Sequence, residues 1–361
     1  METNNTIMTP SEFTNFLDAG AILRVSADDW FLLKGPFLRV EKTTPGQLTL
    51  FTPDFFAASN PSYWLPAGFD RVTTRQFTKL CEVFNNSPAS SKMNWLDAQL
   101  QNFHESFAQI KDRIEKGTLT KAVPVTFETS LEPVSKAALG RMLQHLLSAP
   151  STLFVYGFWQ NGRGTLGASP ETLLRLQGTQ LSTMALAGTS PKQDVQRTPL
   201  LLDKKELFEH DLVVQDIQQV LQKYGDVQVD GPQILELPSL LHLKTELRCE
   251  VRDDTAIDFF KACRELHPTP ALGVSPRSSG YEWLKQLPEQ SDRGGFGAPW
   301  GLQWSSDEAL CLVAIRNLQW NESGSRIGSG CGIVAQSNLD QEWRELSQKR
   351  QSVKRVLGLE S

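Results

Sequence analysis

Residues 328–349 read GSGCGIVAQSNLDQEWRELSQK and join two kinds of secondary structure. Glycines alternate at the start of the stretch and lead into the apolar pair Ile333-Val334, a pattern typical of a strand that something approaches closely. From Asp340 to Leu357 the apolar residues follow a helical period. The stretch therefore predicts a strand followed by a long helix, with Glu342, Glu345 and Lys349 on one helix face.

The chain on either side of this stretch repeats strands and long helices in an irregular order. Strand-like runs joined by short turns, such as 152–159 and 173–176, predict antiparallel pairing. Helical patterns at 199–224 and 255–266 separate groups of strands and do not alternate with them one by one. This order favours a layered α+β fold over a regular βαβ winding.

The amino-acid composition excludes several classes of protein. The 361 residues carry a net charge of −5 and are 40% hydrophobic, typical of a globular protein with no basic footprint for nucleic acid. The cysteines are five in number and lack C-x-x-C spacing, so they are interpreted as buried thiols. No secretory signal and no apolar run of about 18 residues is present, so we expect a cytoplasmic protein without a membrane segment.

The chain shows one candidate boundary. Residues 85–91, NNSPASS, form a polar, turn-rich cluster. We predict an N-terminal part at 1–92, made of short strands and a helix and packed on the same domain, and a catalytic part at 93–361.

Two pairs of carboxylates are candidates for a metal site. Glu206 and Glu209 are three residues apart in a helical pattern, as are Glu342 and Glu345. Each pair alone is most simply a solvated helix face. If the two helices converge, four carboxylates repel one another unless a divalent cation joins them, and oxygen ligands favour Mg²⁺.

Three other sequence features can each be explained by a structural role as well as by a function. The run from Gly162 to Gly167 matches G-x-G-x-x-G, but Asn161-Gly162 between two strand-like runs favours a hairpin. His242 in a strand-like run is more often a core histidine than a catalyst. Arg316 lies within a predicted strand at 310–320, and a guanidinium beside a buried strand needs a partner, for which an anion would serve.

Several segments in order resemble the chorismate-utilising enzymes, the family of isochorismate, salicylate, anthranilate and aminodeoxychorismate synthases. They are GASPETLL (167–174), ALAGTS (185–190), KKELFEHDLVV (204–214), LLHLKTEL (240–247), ELHPTPALG (265–273), DRGGFGAPWG (292–301), VAIRN (313–317) and the stretch 328–349. The resemblance implies an α+β fold with two stacked antiparallel β-sheets flanked by outer helices. It also implies chorismate as the substrate and Mg²⁺ as the cofactor.

The resemblance assigns roles to single residues. It implies metal ligation by Glu209 and Glu345, with Glu206 and Glu342 acting through water or on substrate. The implied substrate-binding residues are Ala187, Gly188, Thr189, Glu206, His242, Phe296, Arg316, Gly330, Gly332 and Lys349. Phe296 stands where a tyrosine is frequent in the family, which removes one hydroxyl from the site.

The position of one lysine and one glutamate implies the reaction. Lys121 matches the general base of members that use water, and Glu171 matches the general acid that protonates the departing C4 hydroxyl. Ala187 stands where some aminodeoxychorismate synthases carry a nucleophilic lysine. The resemblance is closest to isochorismate synthases of the menaquinone or siderophore type, and implies a monomer without an amidotransferase subunit. The alternatives are a salicylate synthase, which also eliminates pyruvate, an aminating enzyme like anthranilate synthase, and a non-catalytic chorismate-binding homologue.

Overall fold

The structure is a computed structural model, and it describes residues 8–57, 62–84, 93–192, 199–237, 240–252 and 257–360. The α-helices of these residues are α1 (Pro10–Phe16), α2 (Thr74–Cys81), α3 (Leu100–Glu115), α4 (Lys136–Leu147), α5 (Lys204–Leu221), α6 (Phe259–Leu266), α7 (Arg277–Leu284) and α8 (Leu339–Leu357). The strands are β1 (Gly20–Ser26), β2 (Asp29–Val40), β3 (Thr49–Phe51), β4 (Tyr63–Val72), β5 (Lys121–Ala122), β6 (Val125–Ser130), β7 (Phe154–Gln160), β8 (Arg163–Ser169), β9 (Thr172–Gln177), β10 (Gln180–Pro191), β11 (Gly225–Glu236), β12 (Leu240–Val251), β13 (Val274–Ser275), β14 (Pro299–Gln303), β15 (Glu308–Val313), β16 (Asn317–Asn321) and β17 (Gly324–Gly330).

The strands form one large sheet and one small sheet. Fifteen strands follow one another in the hydrogen-bonded order β11-β12-β10-β9-β15-β14-β3-β4-β2-β1-β7-β8-β16-β17-β6, and β13 pairs with β5. Every pairing in the large sheet is antiparallel. The predicted α+β class with antiparallel strands is confirmed. The expected division into two stacked sheets is not confirmed, because the fifteen strands form a single hydrogen-bonded series.

The first strands of the chain belong to the large sheet. β1 pairs with β7, and β3 pairs with β14, so the N-terminal part shares its hydrogen bonding with the rest of the chain. The predicted boundary at 85–91 lies outside the described residues. The domain division at residue 92 stays a prediction.

Two large apolar clusters lie under the helices. One contains residues of α5 and α6 together with β9, β10 and β12, including Val213, Phe260 and Leu247. The other contains residues of α2, α4 and α8 together with β7 and β8. All five cysteines are buried and free, as the sequence predicts. No helix of the described residues is long and apolar enough to cross a bilayer.

Local chemistry fixes the elements that carry the candidate site. Asp203 caps α5 by accepting hydrogen bonds from the amides of Lys205 and Glu206, and Asn338 caps α8 in the same way. The hairpin predicted at Asn161-Gly162 joins β7 to β8, and both residues have positive φ angles, of 51° and 71°. The predicted strand 310–320 is instead two strands, because Arg316 adopts a φ of 56° between β15 and β16.

Candidate active site

An open cavity of about 750 Å³ lies where α5 and α8 meet the ends of β10, β12 and β17. Its lining holds most of the residues singled out from the sequence. They are Glu171, Ala187, Gly188, Thr189, Glu206, Glu209, His242, Phe296, Arg316, Gly330, Gly332, Glu342, Glu345 and Lys349. The remaining candidate, Lys121, lies beside this cavity.

The first turns of α5 present two carboxylates to the cavity. Glu206 and Glu209 are only 6% and 8% exposed, so the reading of this face as solvated is wrong. Oε2 of Glu206 accepts a hydrogen bond of 2.8 Å from the amide of Thr189. This bond ties the helix to β10, which crosses the cavity.

Helix α8 presents the second pair of carboxylates. Glu342 is 2% exposed, and Nζ of Lys205 lies 2.9 Å from its Oε1 and 3.2 Å from Oε1 of Glu206. Lys205 therefore links the two helices through one ammonium group. Glu345 forms an ion pair of 2.6 Å with Lys349, whose Nζ also donates to the carbonyl oxygen of Gly330.

The carboxylates perturb one another electrostatically. Burial and the charge of Glu209 raise the pKa of Glu206 to about 7. Burial and the charge of Glu345 raise the pKa of Glu342. Burial disfavours the charged form of Lys205, but the charges of Glu342 and Glu206 outweigh burial and raise its pKa. Glu206 and Glu342 therefore bind a proton more readily than carboxylates in water do.

Lys121 is completely buried behind the cavity wall that Glu209 and Gly332 form. Its Nζ lies 2.7 Å from Oε1 of Glu209. The geometry of this contact is that of an ion pair and not of a hydrogen bond, and Nζ has no hydrogen-bond partner among the described residues. A Cβ at Gly332 would lie 2.1 Å from the same carboxylate oxygen and 2.7 Å from Cε of Lys121. Any larger residue at this position would displace the charged ends of Glu209 and Lys121.

Glu171 reaches the cavity from the turn between β8 and β9. It is 4% exposed, and its amide donates to Oγ of Ser169. Burial raises the pKa of Glu171 to about 8, although the charges of Lys121 and Lys349 oppose that rise. A carboxyl group with this pKa is mostly protonated at neutral pH and can donate a proton.

His242 and Arg316 supply nitrogen atoms to the same cavity. Nδ1 of His242 lies 3.1 Å from Oγ1 of Thr189, and its buried Nε2 has no partner among the described residues. Burial and the charges of Arg316 and Lys349 hold the pKa of His242 well below its ordinary value, so the ring is neutral. Burial lowers the pKa of Arg316 to about 10, which leaves the guanidinium charged.

Comparison with known proteins identifies the family of this chain. The family model of chorismate binding enzymes matches residues 68–358. The chain belongs to the chorismate binding enzymes. The match begins upstream of residue 93, so it includes part of the segment that the sequence assigned to a variable N-terminal part.

Two curated relatives and one solved structure illustrate the similarity. Isochorismate synthase MenF of Bacillus subtilis is 32% identical over 74% of this chain and 56% of its own length. The salicylate biosynthesis isochorismate synthase of Pseudomonas aeruginosa is 30% identical over 73% of this chain and 58% of its own length. The chain thus spans a little over half the length of these two relatives. The structure of MenF, the menaquinone-specific isochorismate synthase of Escherichia coli, matches 98% of this chain and 92% of that one, with a TM-score of 0.79 at 21% identity.

In this chorismate binding enzyme, Gln290 and Arg293 form a side-chain clamp on the segment that follows Lys121. Gln290 accepts from the amide of Val125 and donates to its carbonyl, at 2.9 and 2.8 Å, as a neighbouring strand would. Arg293 donates to Gln290, to the carbonyl of Leu272 and to the carbonyl of Val123. These residues fix the segment that begins at Lys121.

Sequence reasoning missed Lys205 and this clamp. Lys205 lies four residues before Glu209, so helical spacing places it next to that carboxylate, and a face rich in carboxylates needs a counter-charge. That signal was available. The contact of Gln290 with Val125 spans 165 residues of chain and that of Arg293 with Val123 spans 170, and no local pattern indicates them.

The four glutamate carboxylates of this chorismate binding enzyme are chemically suited to a hard cation. Their present arrangement does not suit one. Four carboxylates supply only oxygen ligands, which suit Mg²⁺. Across the described residues, no group of three or more His, Cys, Asp or Glu side chains is arranged to hold a metal ion. The ammonium groups of Lys121, Lys205 and Lys349 pair with the carboxylates instead. A cation would replace these partners.

Proposed function

We propose that this chain is an isochorismate synthase, which isomerises chorismate by adding water at C2 as the C4 hydroxyl leaves and the ring diene shifts. One water enters and one leaves, so the net reaction is an isomerisation. The relatives support this reaction, since those compared above carry the name isochorismate synthase. The pairing of a buried carboxylic acid with a buried lysine at one cavity carries the proposal.

Glu171 is the general acid. Hydroxide is a poor leaving group, so the C4 oxygen must receive a proton as the bond breaks. The pKa of about 8 keeps the Glu171 proton in place at neutral pH. This is the pKa range in which an acid both holds a proton and releases it readily.

Lys121 is the general base that takes a proton from the incoming water. A lysine acts as a base only in its neutral form. Lys121 is completely buried beside the cavity, and its Nζ lies 2.7 Å from Oε1 of Glu209. Release of Nζ from this ion pair would make the amine available to the incoming water.

The other cavity residues bind the substrate. Arg316 offers a guanidinium to a carboxylate, and Lys349 adds a second positive charge. His242 offers the unpaired Nε2 of a neutral ring. Phe296 packs edge-on against Phe127 and forms an apolar wall. Gly330 and Gly332 carry no Cβ, so a carboxylate can approach their backbone closely, as that of Glu209 does at Gly332.

We also propose that Mg²⁺ is the cofactor, held by Glu209 and Glu345 with Glu206 and Glu342 nearby. The cation would neutralise the ring carboxylate of chorismate and the surrounding glutamates. The raised pKa of Glu206 supports the need for such a charge. Lys205, Lys121 and Lys349 keep the carboxylates neutralised without it.

Water is the proposed nucleophile, and no amidotransferase partner is required for it. Lys121 is suited to activate water, and Ala187 cannot form a covalent adduct as a lysine would. The test is incubation of the purified chain with chorismate and Mg²⁺, followed by chromatography. Isochorismate as the main product supports the proposal. Salicylate with pyruvate as main products, or turnover only with ammonia, would contradict it.

A further inference from the structure

A second cavity, which opens to solvent and measures about 870 Å³ with that open space included, lies next to the proposed active site and is not part of it. It lies between the end of α4, the segment after it, and the last turns of α8. The two cavities share only Pro170 and Arg316 in their linings. Arg316 therefore stands in the wall between them.

The lining of this cavity combines apolar walls with positive charge. Ala149, Leu153, Val353 and Val356 supply apolar surface. His145, Arg355 and Arg316 supply the ionisable groups, and the residues that line the cavity include no Asp or Glu. Ligand sites typically show this combination of a mainly apolar wall and a few placed polar groups.

The polar groups at the two ends of the cavity differ. At the inner end, Arg316 donates to Oγ of Ser352 at 2.9 Å and to the carbonyl of Lys349 at 3.4 Å, and to no carboxylate of the described residues. At the outer end, Arg355 is exposed and pairs with Glu360. The inner guanidinium therefore has capacity for an anion, whereas the outer one is already paired.

The wall opposite α8 is held rigidly. Arg24 is 4% exposed and donates to the carbonyls of Ala149, Pro150 and Leu153. Three hydrogen bonds from one buried guanidinium fix the segment that faces α8. A cavity with a fixed wall keeps its shape without a ligand, which lowers the entropic cost of binding.

We propose that this cavity binds a small aromatic carboxylate, with its carboxylate on Arg316 and Ser352 and its ring between Leu153 and Val356. Such a ligand engages the guanidinium that also faces the first cavity. Binding in the two cavities is therefore coupled, and the ligand weakens binding of an anionic substrate by drawing on the same charge. The coupling to catalysis rests on the proposed function, whereas the binding itself does not.

The test uses 1-naphthoate as the probe and isothermal titration calorimetry on the full chain. For a ligand of this size we expect a dissociation constant on the order of 0.1–1 mM. Val356→Trp fills the cavity and should weaken binding at least about tenfold, while Gln351→Trp, on the exposed side of the same helix, should leave it unchanged. The neutral analogue 1-naphthalenemethanol should bind at least about tenfold more weakly than the carboxylate.

Each outcome decides the proposal. Equal affinity of 1-naphthoate for the wild type and for Val356→Trp, or equal affinity of acid and alcohol, overturns the site. Lack of binding at 10 mM, about ten times the weakest expected constant, overturns it as well. Because calorimetry needs no turnover, these results are independent of the proposed reaction. A rise in the KM for chorismate with 1-naphthoate, absent in Val356→Trp, then supports the coupling.

Discussion

The ammonium nitrogen of Lys121 lies 2.7 Å from Oε1 of Glu209, with the lysine side chain completely buried and the glutamate side chain 10% exposed. Breaking a buried ion pair by removing one partner costs about 3–5 kcal/mol, because it leaves a charge without compensation. The pair therefore stabilises the empty cavity and also restrains both groups. Catalysis as proposed needs each of them released to another partner.

Replacing Lys121 by methionine should abolish the base and lower kcat by at least about 10²-fold. The apo protein should lose several kcal/mol of stability, since the buried Glu209 is left without its partner in the ion pair. Steady-state kinetics and chemical denaturation measure the two effects. Lys116→Met removes an exposed ion pair and serves as the control, with no expected change in kcat. Turnover close to the wild type in Lys121→Met would remove this lysine from the mechanism.

Gly332→Ala tests the close packing of the same pair. The new methyl group would lie 2.1 Å from the Glu209 oxygen, so the carboxylate and Lys121 must move. A displacement of about 1 Å in an active site can cost about 10²-fold in rate, and we expect a loss of that order. At Gly330 the nearest atom would be 3.2 Å away, so Gly330→Ala should have the smaller effect. Equal losses in the two variants would show that Gly332 has no special role.

Glu171→Gln should lower kcat by at least about 10²-fold, because an amide cannot donate the proton. The wild-type kcat should fall as pH rises through about 8, where Glu171 loses its proton. The variant should lack this limb of the pH profile. An unchanged high-pH limb in Glu171→Gln assigns that ionisation to another group.

The same substitution should raise stability at high pH. The pKa of Glu171 is higher in the folded state than in the unfolded state, so its contribution to stability is fully present below about 4.5 and is lost as pH rises towards about 8. Glu171→Gln should therefore match the wild type at pH 4.5 and be more stable at pH 9, by roughly a few kcal/mol. Urea denaturation at both pH values measures the difference. A less stable variant at pH 9 would contradict the raised pKa.

Much of the fold and of the cavity follows from local sequence patterns. The helical periodicity around Glu206 and Glu342 predicts α5 and α8, and the ordered motifs place these helices in a known family. The break at Arg316 was missed, because the six apolar residues 310–315 and the next strand read as one run, and a positive φ at arginine has no local signature. Helix α7 was missed as well, since its sequence RSSGYEWL has little helical periodicity.

Mg²⁺ should stabilise the protein and release protons on binding. At a concentration of 100 times its dissociation constant, the cation should add about 2.7 kcal/mol to the free energy of unfolding. Glu206, with a pKa of about 7, is partly protonated near neutral pH, and a cation held beside it favours its charged form. Calorimetry in two buffers of different ionisation enthalpy measures the protons released. Glu345→Gln should weaken binding, and identical melting curves in Mg²⁺ and in EDTA would exclude the site.

Gln290→Leu tests whether the side-chain clamp positions Lys121. The substitution leaves the amide and carbonyl of Val125 without their partners, at about 1–3 kcal/mol for each unsatisfied group. Since Val125 is four residues from Lys121, we expect kcat to fall more than KM rises. Gln290→Glu keeps the acceptor for the Val125 amide and should retain part of the kcat. Gln286→Leu, at an exposed position nearby, is the matched control. A loss of stability with an unchanged kcat would show that Gln290 supports the fold but does not position the base.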